Sequence, residues 1–165
     1  MSASGRLNLP LLSAGQAQKE FCHNEALQAL DLMVAAAVEE APRSNPPTSP
    51  LIGACYIVGA SPSGAWTGKS GCIAGFTSGG WRFIAPTEGL SAYVKSAGTW
   101  ANYRSGAWEV GVLRGNSLVL GGVQVVGGRL AAIDDPSGGT TVDTEARGSI
   151  AQILAALREH GLIES

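Results

Sequence analysis

Apolar side chains recur along this chain with two different periods, and the change of period divides it. From Ser13 to Glu40, Leu27, Leu30, Val34 and Val38 follow at steps of three and four, with Ala26, Met33 and Ala37 widening the stripe. That spacing is one face of an α-helix, so a helix is predicted over residues 13–40. Ser13 and Gln16 have the form of a capping box, in which each side chain satisfies an otherwise unpaired backbone N–H. Glu39 and Glu40 oppose the macrodipole at the C-terminal end, and Pro42, Pro46, Pro47 and Pro50 stop the helix and form a stiff linker. Phe21 and Leu32 stand nearly opposite Leu30 at about 100° per residue. A helix apolar on two sides needs two partners, its own domain and a neighbouring subunit, unless these two are isolated surface residues.

Beyond Leu51 the period shortens. Tyr56–Val58, Gly71–Ala74, Trp81–Ile84, Ala92–Val94 and Ala107–Val110 are short β-type runs separated by Ser, Pro and Gly, as in a small antiparallel domain. Ser78-Gly79-Gly80 and Arg104-Ser105-Gly106 read as hairpin turns. Ser117–Gly128 offers two more apolar strands, and residues 132–139 form a turn-rich link. A second helix is predicted over 144–160, with Ile150, Ile153, Leu154 and Leu157 on one face and Gly161 as its stop. Arg158 and His160 suit the negative end of that helix. Isoleucine at the core positions of an Ile150–Ile153–Leu157 seam favours trimers, although docking onto its own domain accounts for the same stripe. The expected class is therefore α+β. Its segments are 1–50 (helix and Pro-rich linker), 51–115 (antiparallel β domain), 116–143 (β-rich link) and 144–165 (C-terminal helix).

Composition sharpens this. The chain has 165 residues, 23 of them glycine, with 45% hydrophobic and only 15% charged positions. So much glycine favours short strands and tight turns over long helices. A net charge of −2 leaves no basic footprint for nucleic acid. No apolar run is long enough for a bilayer and no secretory leader is visible, so the expected site of synthesis and assembly is the cytoplasm. Cys22, Cys55 and Cys72 lack C-x-x-C spacing and, with only His23 and His160 beside them, offer no metal set; reduced and mostly buried thiols are expected, with no cofactor.

Candidate chemistry is sparse. Gly68-Lys69-Ser70 imitates the end of a phosphate-binding P-loop, but Ser63 stands where the first glycine belongs, and strand-like sequence follows where a helix is required. No nucleophile elbow or H-E-x-x-H is present, and Asp134-Asp135 lacks the alternating ligands of a calcium loop. Glu88 and Glu109 are a conceivable glycosidase pair that nothing in the sequence brings together. Two features remain. Gln16, Gln18, Lys19, Glu20, His23, Asn24 and Glu25 form a dense polar cluster, either a docking surface or a solvated helix face. The four tryptophans each follow a glycine by one or two positions. Trp81 and Trp108 lie inside β-type runs and are expected in the core. Trp66 and Trp100, in polar loops, are expected to be exposed, and with Tyr103 and Lys69 they are the candidate sugar-binding residues, since indole faces stack on the C–H face of sugar rings.

The stretch Leu9–Glu20 followed by His23-Asn24-Glu25-Ala26-Leu27 resembles the opening of a family catalogued as domain of unknown function 2793, common in alphaproteobacterial prophages and gene transfer agents. Gly53–Val58, Gly64-Ala65-Trp66, Gly79–Phe83 and Pro86 match its later pattern, and Gln124–Gly127, Pro136–Thr140 and Leu157–Ile163 resemble the C-terminal ends of such proteins, which suggests a complete short member. The resemblance implies a spike or fibre protein on the particle surface, assembled in the bacterial cytoplasm, that attaches the particle to a cell-surface polysaccharide. It is consistent with a homotrimer joined to other particle proteins through the N-terminal polar cluster and through Ile150, Ile153 and Leu157. A capsule-degrading enzyme and a structural component without a ligand remain as rivals.

Overall fold

A computed structural model, which describes residues 3–12 and 19–164 and leaves out the side chain of Lys19, divides the chain into two units, Met1–Val112 and Leu113–Ser165. Ser13, Gln16 and Gln18 lie outside the described residues, so the expected capping box and part of the polar cluster are not placed. The α+β class is borne out: helix, antiparallel hairpins, helix. The N-terminal helix and the proline segment fall in the same unit as the first two sheets.

The helix α1 covers Lys19–Met33 and stops well short of residue 40. Ala35 takes a positive φ of 47°, and the chain then enters strand β1, Ala37–Val38. Arg6 fixes that ending. Its guanidinium donates to the carbonyls of Asp31, Leu32 (3.3 Å), Val34 (3.4 Å) and Ala35 (2.7 Å), supplying both the donors and the positive charge that a helix C-terminus lacks. Asp31 is buried and accepts from the Ser4 hydroxyl at 2.7 Å and from the backbone N–H groups of Arg6 (3.0 Å) and Leu7. The N-terminal segment is thereby laced to the helix end.

The helix buries the face opposite the expected one. Leu32 is 1% exposed, whereas Leu30, Met33 and Val34 lie on the surface. The reason is in strand β3 (Ile73–Thr77): at Gly75 a Cβ would fall 2.2 Å from Leu32 Cδ2, so the absence of a side chain there makes the socket that Leu32 fills. Val38 is buried as expected, but from a strand.

Strands β2 (Cys55–Ile57), β3 and β4 (Gly80–Ile84) form an antiparallel sheet. A second sheet has the order β1-β5-β6-β7, with β5 Ser91–Val94, β6 Thr99–Arg104 and β7 Ala107–Val110. β1 pairs with β5 in parallel, a departure from the all-antiparallel expectation, and β6 occupies a stretch expected to be loop. The Ser78–Gly80 and Arg104–Gly106 turns form as expected; Ser105 (φ 49°) and Gly106 (φ 84°) both take positive φ, which suits the right-handed strand twist. Ile57, Ile73 and Cys55 from the first sheet meet Val38, Ala92, Val94 and Ala101 from the second, with Leu32 and Ala36 among them, in one core.

In the second unit β8 (Leu118–Leu120) and β9 (Val123–Val126) form a hairpin through Gly121-Gly122, both at positive φ. The helix α2 covers Thr144–Glu159, as the periodicity predicts, with Asp143 as N-cap accepting from the Ala146 N–H at 2.9 Å. Leu154 on the helix and Ile163 beyond it are the buried apolar side chains among the described residues of this unit. Arg158 bridges to Asp135 at 3.1 Å, and Leu130 pairs with Ile163 through backbone hydrogen bonds.

The Leu32–Gly75 contact yields a coupled prediction. Gly75→Ala costs about 1–3 kcal/mol by overpacking, and Leu32→Ala about 2–5 kcal/mol by leaving a cavity. The double variant should be less destabilised than the sum, because the methyl at 75 enters the space Leu32 vacates. Urea unfolding of the three variants measures this; strict additivity would show that the two positions do not share that space.

Candidate functional site

The aromatic residues of the first unit divide between an inner cluster and an outer face, and β-strand alternation decides which goes where. On the first sheet, Cys55, Ile57, Ile73 and Gly75 face the central core, so Ala54, Tyr56, Val58 and Ala74 face the other way. That second face is covered by Trp66, carried on the short 3-10 turn Gly64–Trp66, with Trp81 and Phe83 beside it. Trp66 lies 5.5 Å from the Tyr56 ring and 5.0 Å from Trp81, the latter edge to face at 86°. Phe76 and Trp81 are 5.0 Å apart. Each such pair adds about 0.5–1.5 kcal/mol beyond area burial.

Trp66 is 0% exposed, which corrects the expectation that its loop presents it to a sugar. The polar Ser/Gly/Thr setting reflects the turn itself. Gly64 needs its φ of 56°, and Thr67 Oγ1 closes the turn on the Gly64 carbonyl at 2.9 Å. Pro46 packs on Gly64, and Ser63 Oγ hydrogen-bonds Asn45 Oδ1 at 2.7 Å, so the proline segment braces this lid. Lys69 is exposed with its ammonium 5.4 Å from the Phe83 ring, a cation–π contact that keeps it beside the inner cluster.

The outer face belongs to the four-stranded sheet. Ala92, Val94 and Ala101 point inward, which turns Ser91, Tyr93, Trp100 and Asn102 outward. Tyr93 and Trp100 are directly opposed across β5 and β6, with centroids 5.6 Å apart at 69°. Trp100 is 50% exposed and Tyr93 37%. One pair further along, Ser91 donates to Asn102 Oδ1 at 2.7 Å, leaving the Asn102 amide NH2 as a donor, and Asn102 pairs in register with Glu109. An aromatic pair followed by an amide and a carboxylate on one flat surface has the composition that binds polar rings: stacking for the C–H face, donors and acceptors for the hydroxyls.

Tyr103, expected beside Trp100, is three residues on and therefore faces inward. It packs on Trp108 at 5.4 Å, and the Trp108 indole N–H donates to the Gly71 carbonyl at 2.7 Å. The two rings line a cavity of about 360 Å³ with Pro42, Ile57 and Gly71. Trp66, Trp100, Tyr103 and Lys69 are thus not brought together; Trp100 stands instead beside Tyr93. Tyr93 was missed because it sits inside an ordinary β-type run, and only the register of β5 against β6 identifies it.

Two of the expected docking residues hold the unit itself together. Asn24 exchanges two hydrogen bonds with the backbone of Leu12, at 2.9 and 3.0 Å, and Glu25 pairs bidentately with Arg82, both contacts at 2.9 Å. Donating to the Glu25 carboxylate raises the Arg82 pKa against the effect of desolvation. His23 is exposed. In the second unit Ile150 and Ile153 are exposed and Leu157 is partly buried.

A larger groove of about 700 Å³ is lined by Arg6, Glu39, Glu40, Arg43, Tyr56 and Lys95 among others. Four of its charges pair with one another, Arg43 with Glu40 and Lys95 with Glu39 at 2.7 Å, and Arg6 is taken up by the carbonyls of the helix end. Burial pushes the Cys55 thiol up from 9.0 to about 11, which keeps it protonated and inert at neutral pH; Cys22, by contrast with the expectation of buried thiols, is exposed. Among the described residues no group of three or more His, Cys, Asp or Glu is placed to hold a metal ion, and no helix is long and apolar enough to cross a membrane.

The profile of the family described as "Protein of unknown function (DUF2793)" matches residues 23–109, over half of the chain, and the chain belongs to that family. The match takes in most of α1, both sheets of the first unit up to residue 109 and the Tyr93–Trp100 face. No curated protein matches the chain.

The inner and outer tryptophans should separate in a stability measurement. Trp66→Ala is expected to cost about 3–5 kcal/mol, and Trp100→Ala to stay within about 0.5 kcal/mol of the parent. Equal losses in guanidinium unfolding would place Trp100 in the core as well.

Proposed function

We propose that this member of the DUF2793 family is a surface protein of a prophage or gene-transfer-agent particle, a spike or fibre that attaches the particle to cell-surface polysaccharide through the outer face of the four-stranded sheet. The observation that carries the reading is the half-exposed Tyr93–Trp100 pair, held rigid by strand register and followed on the same face by Ser91, Asn102 and Glu109. A surface indole costs solvation unless something covers it, and a sugar ring covers it while its hydroxyls keep their hydrogen bonds. Binding of this kind is weak per site, so attachment draws on several copies on one particle, and a homotrimer supplies them in the smallest closed form that the Ile150–Ile153–Leu157 seam favours. The protein is then made and assembled in the bacterial cytoplasm and displayed on the finished particle.

The test is binding to a panel of purified capsular and O-antigen polysaccharides, followed by tryptophan fluorescence. Trp100→Ala and Tyr93→Ala should each weaken binding about tenfold, the effect of losing one stacked and buried ring, while leaving the unfolding midpoint unchanged. Binding that survives both substitutions would move the site off this face, the charged groove being the next place to examine. Release of reducing ends would make the protein an enzyme instead, and failure to bind any polysaccharide would leave a structural component.

A further inference from the structure

The second unit does not enclose its own apolar surface. Leu118, Val119 and Leu120 are consecutive in β8 and all exposed, as are Val125 and Val126 in β9. Consecutive strand residues point to opposite faces, so the hairpin is apolar on both sides. A two-stranded hairpin with water on both faces is not stable by itself. The helix repeats the pattern: Leu154 is buried, while Ile150, one turn before it, and the adjacent Ile153, 59% exposed, are not. Among the described residues of Leu113–Ser165 the buried apolar side chains are Leu154 and Ile163, too small a core for a unit of this length.

We infer that this unit is an assembly module whose core is completed by the same unit from other copies of the chain, with the β8–β9 hairpin and the Ile150–Ile153 side of α2 as the contact surfaces. Three observations select a copy of the chain as the occupant. Residues 115–128 contain no charged side chain, so nothing on the hairpin would steer or recognise a charged partner, and the patch is complementary to another like itself. Each hairpin strand has one unpaired edge, β8 and β9 being the only strands of their sheet, and an identical edge supplies the missing backbone partners in register. A module that lacks a core until it is covered must meet its partner as it folds, and a second copy is the partner present in fixed stoichiometry. The inference names the surfaces by which the proposed particle protein would become a homo-oligomer, and to that extent it rests on that reading; assembly and polysaccharide binding are measured separately, so either can fail without the other.

The test is light scattering on the full chain and on three variants. The parent should assemble into a closed complex, three copies being expected. Val125→Asp on the hairpin and Ile153→Asp on the helix should each convert it to monomer, with the near-ultraviolet circular dichroism of the Trp66–Trp81 cluster unchanged, which shows that the first unit still folds. Phe21→Asp, which removes an equally exposed apolar residue from the first unit, should leave the assembly intact. A monomeric parent would overturn the inference, as would an assembly that survives both Val125→Asp and Ile153→Asp or one that dissociates equally on Phe21→Asp.

Discussion

Leu32 stands where any side chain at position 75 would have to stand, and much of the first unit follows from that contact. It sets the helix directly against the middle strand of a sheet, at the one place in β3 where the strand has no side chain. Close approach there brings Asp31, the next residue back, under the N-terminal segment, where three donors from Ser4, Arg6 and Leu7 satisfy it. A buried carboxylate without those donors would be strongly destabilising. Arg6 then closes the helix C-terminus and directs the chain into β1, the strand that completes the second sheet. Sequence-distant segments are tied together at two consecutive residues of one helix.

The same geometry sorts the aromatic residues. Because helix and second sheet cover one face of β2-β3-β4, its other face needs a cover of its own, and the chain provides Trp66 on a braced turn. On the second sheet the outward aromatic pair is exposed. That pair, Tyr93 and Trp100, is set in place by the same register that puts Ala92 and Ala101 in the core. The geometry of this exposed pair is set by the strand register, so a ligand would not have to order it.

Much of this was legible in the sequence where local chemistry decides the outcome. The 144–160 helix with its Gly161 stop and the Gly-bearing hairpin turns all formed, because propensity, periodicity and turn chemistry agree there. What could not be read depends on residues far apart in the chain. The periodic stripe Leu27–Leu30–Val34 is real, but a glycine forty-odd positions away draws the opposite side of the helix into the core. Thr99–Arg104 reads as loop because a glycine precedes a polar residue and a tryptophan, although Thr, Trp and Tyr all suit a strand once β5 and β7 flank it. Trp66 and Trp100 have near-identical local sequence, glycine two positions before, and end up inside and outside for reasons that lie in their neighbours across the sheet. Glu25 looked like a surface docking residue because nothing near it in sequence announces Arg82.

The two units differ in their conditions for being folded: the first is complete within one chain, and the second becomes so only with other copies. Hydrogen exchange on the full chain, followed by mass spectrometry at high and low protein concentration, tests this directly. Amides in β2 to β7 should be protected equally at both concentrations, and those of Leu118–Leu120 and Val123–Val126 should be protected at high concentration and exchange rapidly on dilution. Protection of the hairpin that does not change with concentration while the protein is monomeric would contradict the account, since it would mean that the second unit holds its fold alone.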